Sequence, residues 1–133
     1  MLQTQKDLEK LKAWLATYPH WGNCPPDIVP KALEEISRQA DVLGNTLVVH
    51  RYTFSLFWQK PGRGDGCLDA QSLLDFQRWV SGQCSARLCP QFGDVPAFER
   101  IRLEKGGLTP AAQTVTYTVM LLADFLKIYD VSR

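Results

Sequence analysis

Residues 32–45 read ALEEISRQADVLGN, and two incompatible structures fit them. Counted by threes and fours, Val29, Leu33, Ile36, Ala40 and Leu43 fall on one side of a helix, with Pro30 near its start and Gly44 as a stop. Joined to the TLVVHRYTFSLFW of residues 46–58, the stretch becomes the first arm of a β-hairpin turning at Leu43-Gly44-Asn45. Propensity speaks for the helix, because Glu34, Glu35, Gln39, Ala40 and Asp41 are poor strand formers. Topology speaks for the strand, which gives residues 46–58 an immediate antiparallel mate. Charged strands do occur at sheet edges, where charge blocks unwanted pairing. On the residues alone both structures stay open, with the helix slightly ahead.

The neighbouring segments are plainer. In 46–58, Val48, Tyr52, Phe54, Leu56 and Trp58 alternate onto one face while Arg51, Thr53 and Ser55 take the other, the period of a strand. Residues 59–68, which include PGRGDG, read as an exposed loop. From Asp69, a good N-cap, the apolar spacing of Leu73, Phe76 and Val80 predicts a helix to about Gly82. An earlier helix is predicted over 4–17, with Thr4 and Asp7 as a capping box and Leu8, Leu11, Trp14, Leu15 and Tyr18 as its apolar face. HWGNCPPDIVPK then reads as a connecting loop. FERIRLEK alternates as a half-exposed strand, KGGLTP supplies a turn, and QTVTYTVMLLADFL forms a long strand with Val115, Tyr117, Val119, Leu121, Ala123 and Phe125 inward.

Composition limits the function classes. The chain has 133 residues, 45% apolar and 22% charged, with a formal net charge of +1. That is the profile of an ordinary globular domain, and it gives no electrostatic case for nucleic acid or an anionic membrane as partner. MLQTQKDLEKLKAWL has no signal-peptide core, and no apolar run approaches the roughly 20 residues that span a bilayer. A cytoplasmic chain is the expectation. Cys24, Cys67, Cys84 and Cys89 are then expected to be free thiols. A zinc set drawn from His20, Cys24, Cys84 and Cys89 matches metal-ligand spacing weakly, so neither metal nor cofactor is expected.

Little in the sequence points to catalysis. His20 sits in the Pro-rich loop and His50 beside an apolar strand row, neither next to a nucleophile. GRGDG lacks the Lys-Ser/Thr that would hold phosphate and magnesium. Glu34 and Glu35 are adjacent, so on a strand they point to opposite faces. Arg100 and Arg102 share a strand face, and with Lys105 they form a basic strip diluted by Glu99 and Glu104. With the net charge near zero, such a strip reads as an exposed face or a subunit contact ahead of a nucleic-acid site.

The segments LEEISRQADVLGN, HRYTFSLFW, LLDFQRWV, FGDVPAFERIRLEKGGL and LLADFLKIYDV, in this order, resemble a family of small prophage proteins of Gram-positive gut bacteria. These are minor capsid or tail-completion proteins, similar in layout to the tail terminator proteins of long-tailed phages. The resemblance runs from Leu33 to Val131 and has no catalytic signature. It implies a single α+β domain over 1–133 in the order α-β-β-α-β-β. Strands near 33–41, 45–58, 97–105 and 112–126 would form a mainly antiparallel sheet, with both helices on one face. On that template ALEEISRQADVL is the first strand.

The implied role is structural, not enzymatic. Tail terminators form a closed ring of about six subunits on the end of a tail tube and offer a docking surface to the head connector. Such a protein works in the cytoplasm of the bacterial host and then in the virion, with itself, the tube protein and the connector as partners. Arg100, Arg102 and Lys105 of one subunit are the expected contact residues, facing Glu34, Glu35 or Asp41 of the next. The competing expectation, from another class, is a monomeric mobile-element adaptor that binds one host protein.

Overall fold

The computed structural model describes residues 3–21 and 25–130. Its elements are α1 (Gln3–Leu15), β1 (Asp27–Ala40), β2 (Thr46–Pro61), α2 (Gly66–Ser85), a 3₁₀ turn (Pro96–Phe98), β3 (Arg100–Pro110) and β4 (Thr114–Tyr129). All four strands pair antiparallel in the spatial order β1-β2-β4-β3. The chain is therefore an α+β fold in the order α-β-β-α-β-β, and residues 32–40 are a strand.

Asp41 is the reason the hairpin closes where it does. Its carboxylate accepts the backbone N–H groups of Leu43 and Asn45, both at 2.9 Å, and the Asn45 side-chain amide at 3.2 Å. Gly44 supplies the positive φ of 88° that the turn needs. A residue that counts against a strand is thus the one that ends it.

Several boundaries lie elsewhere than the sequence predicts. β1 begins at Asp27, inside the segment expected to be a loop, and carries Pro30. An edge strand tolerates a proline, and the register shifts between Pro30 and Ala32 and again between Glu35 and Ser37. β3 runs through KGGLTP, which is not a turn. A bulge between Glu104 and Gly107, with Lys105 at φ 53°, carries the pairing on to Pro110. α2 begins at Gly66, capped by Asp65, whose side chain accepts the Cys67 N–H at 2.8 Å. Asp69, expected as the cap, is buried in the first turn and accepts the Arg63 N–H at 3.0 Å.

One core holds the molecule together. The β2 row Tyr52, Phe54, Leu56 and Trp58 and the β4 row Val115 to Phe125 pack against Leu11, Leu15, Leu73, Phe76 and Val80 of the helices. Trp21 is buried beside Trp58 and Phe76 and donates its indole N–H to the Leu15 carbonyl at 2.6 Å. This anchors the link after α1. Asp7 caps nothing. It is buried and accepts the Tyr52 hydroxyl at 2.5 Å and the Gln3 amide at 2.8 Å. Among the described residues no helix is long and apolar enough to cross a membrane.

Candidate subunit-contact surface

Both helices cover one face of the sheet, so the alternate residues of each strand point from the other face. Across it runs a single row of charges. Glu34 of β1 lies opposite Arg51 of β2, Arg51 opposite Asp124 of β4, and Asp124 opposite Arg100 of β3. Side chains so placed on neighbouring strands are about 5 Å apart at Cβ, within reach of one another. At the centre the guanidinium of Arg51 donates two hydrogen bonds to Asp124, at 2.7 and 3.1 Å, and the pair is mostly shielded from water. From β1 to β3 the row reads minus, plus, minus, plus.

The structure thus puts two of the expected contact residues, Glu34 and Arg100, at opposite ends of one row. The others have local partners or local tasks. Glu35 faces the helix side, opposite His50, and pairs with Arg38 at 2.6 Å. Asp41 is held in the hairpin turn. Arg102 shares the strand face of Arg100 and pairs with Glu104 at 3.2 Å. Lys105 sits in the bulge. Glu99 does not dilute the basic strip, because it turns inward. Its Oε1 accepts the Phe92 and Gly93 N–H groups at 2.9 and 2.7 Å, while Oε2 is buried with no hydrogen-bond partner among the described residues. Burial pushes this carboxyl above the ordinary range, against the two backbone donors that pull it down.

What a strand-by-strand reading misses is the central pair, Arg51 and Asp124. Each lies on the face opposite the core row of its own strand, but only the register of β2 with β4 shows that they meet. A second feature visible only in three dimensions is the distribution of exposed apolar side chains. Nine large apolar residues are exposed among the described ones, and six of them (Leu33, Ile36, Val42, Leu43, Ile128 and Tyr129) lie along the second half of β1, on its hairpin turn and at the adjoining end of β4. Val42 is fully exposed and Leu43 is 81% exposed. There β1 forms the sheet edge beside β2 and β4, with residues 30–40 exposed and only the turn at residues 41–45 reaching past the pairing.

The residues weighed for chemistry are dispersed. His50 stacks on Phe125 with ring centroids 5.3 Å apart and lies 3.3 Å from the Tyr129 hydroxyl. That is a packing environment. His20 lines a depression with Tyr18, Lys60 and Asp75, whereas Cys84 and Cys89 line a different one with Glu99. The histidine and cysteines of the zinc set therefore do not converge, and Cys24 lies outside the described residues. No metal-binding group of His, Cys, Asp and Glu forms among the described residues. Burial, with Cys84 beside it, pushes the Cys89 thiol up to about 11, which leaves it a poor nucleophile at neutral pH. No protein-family model and no curated protein sequence matches the chain.

Proposed function

We propose that this protein is a structural assembly component of the phage and prophage tail-completion class, a ring-forming tail terminator or head–tail joining protein. The observation that carries the reading is the edge strand β1 and its hairpin tip. Residues 30–40 of this fourteen-residue strand are exposed, and only its start at Ile28 and Val29 is half-buried. It ends in exposed Val42 and Leu43, a surface that is costly to leave in water. Protein surfaces seldom gather so many apolar residues at one end unless something covers them. The α-β-β-α-β-β order supports the same reading, since it is the layout that the resemblance to tail terminators implies.

Ring assembly needs two different patches on each subunit, so that contacts run head to tail and close. The two sheet edges here are chemically unlike. Residues 27–41 carry four acids and two bases, and residues 100–110 carry three bases and one acid. Pro30, the two bulges and the charges of β1 guard its backbone edge against simple strand addition. Side chains, rather than a continued hydrogen-bond ladder, would make the contact.

Light scattering coupled to size exclusion, with the protein alone and mixed with its cognate tail tubes, tests this reading. The expected result is a discrete species of about six copies, and electron microscopy should place it at tube ends. A chain that stays monomeric at high concentration in both conditions would sink the ring and favour the host-binding adaptor.

A further inference from the structure

We propose that the charge row is the register mark of the subunit contact. In this scheme Glu34 of one copy meets Arg100 of the next, so that the alternation runs unbroken from subunit to subunit. The proposal rests on the assembly reading above and goes further by naming the pair.

Three observations carry it. First, the row ends in opposite charges at opposite edges of the sheet, a carboxylate on β1 and a guanidinium on β3. A copy set beside β3 with its β1 foremost extends minus-plus-minus-plus by the same sequence. A copy set β3 to β3, or β1 to β1, with the two rows in line opposes like charges. The row therefore favours the head-to-tail arrangement, which closes into a ring, over a two-fold dimer.

Second, neither terminal charge makes an ion pair or side-chain hydrogen bond among the described residues, although Glu34 lies in the field of Arg51. Asp124 is held by Arg51, Glu35 by Arg38 and Arg102 by Glu104. Arg100 is exposed and has no ion pair among the described residues. Glu34 is exposed beside an Arg51 whose guanidinium is already committed to Asp124.

Third, there is room on the receiving side. A depression of about 430 Å³ opens along the start of β3, where Arg100 and Arg102 stand beside the carboxylates of Glu99 and Asp124, each already engaged within the subunit.

The test uses two full-length variants, Glu34→Arg and Arg100→Glu, each checked for an unchanged fold by circular dichroism and thermal melting. Each alone places like charges at every contact, so each should assemble several-fold more weakly than the unsubstituted protein, and more weakly still at low salt. Mixed in equal amounts, they restore opposite charges at every contact between unlike copies. The mixture should assemble, with the two variants alternating and both present in equal amounts by mass spectrometry. Assembly of either variant alone to the extent of the unsubstituted protein overturns the pairing. So does a mixture that assembles no better than either variant alone. In both of those cases the ring reading survives and only the register falls. If the unsubstituted protein itself never assembles, with or without tail tubes, the assembly reading fails and the register with it.

Discussion

Tyr52 and Asp7 carry the sharpest consequence at the scale of single residues. Spacing makes Asp7 the partner of Thr4 in a capping box, and the fold instead puts both inside α1 and sends the Asp7 carboxylate inward to a tyrosine 45 positions away. Local pattern sees neighbours three or four residues off, so a partner across the core is invisible to it. The row that includes Tyr52 was legible, because alternation alone marks the buried face. What its hydroxyl meets was not. Hydrogen bonds to charged groups are worth about 1.5–3 kcal/mol, and a buried carboxylate that loses its donor keeps its desolvation cost. Tyr52→Phe should therefore lower stability by about that much, with no change in secondary structure. Urea unfolding checks it, and a loss below about 0.5 kcal/mol would mean that water replaces the hydroxyl.

Among the elements, the existence and type of each helix and of the last three strands were legible, while their ends and the nature of β1 were not. Pro30 and the glycines of KGGLTP signal breaks. The sheet absorbs both through bulges, which only the pairing partner reveals. The same limit applies to residues 59–68. They are exposed as expected, but β2 extends to Pro61 and α2 begins at Gly66, so the true connection is short and works as a helix cap. Deleting residues 63–66 would remove Asp65 and the Arg63 N–H that Asp69 accepts, so the segment is not a dispensable loop. The milder variant Asp65→Ala should cost about 0.5–2 kcal/mol, the usual range for a lost N-cap. A thermal melt that does not move would show that the first turn of α2 is held by packing alone.

For the whole molecule the question is what holds copies together, and magnitudes separate two contributions. An exposed ion pair such as Glu34 with Arg100 is worth about 0–1 kcal/mol and is screened by salt. That suffices to choose a register and reject like-charge arrangements. It does not suffice to hold a ring. A valine or leucine side chain taken fully out of water is worth about 1.5–3 kcal/mol, so the tip pair Val42 and Leu43 would contribute about 3–6 kcal/mol per contact if both are covered. Affinity should then reside in the hairpin tip and orientation in the charge row. The double substitution Val42→Ser with Leu43→Ser tests this division. Both side chains are exposed and both positions lie outside the paired strands, so the subunit's melting temperature should stay within a degree or two. Assembly followed by sedimentation should weaken by a hundredfold or more in protein concentration, and should do so equally at low and high salt. An equally strong assembly would place the tip in water in the finished particle, and would move the apolar contact to Leu33, Ile36 and the adjoining Tyr129.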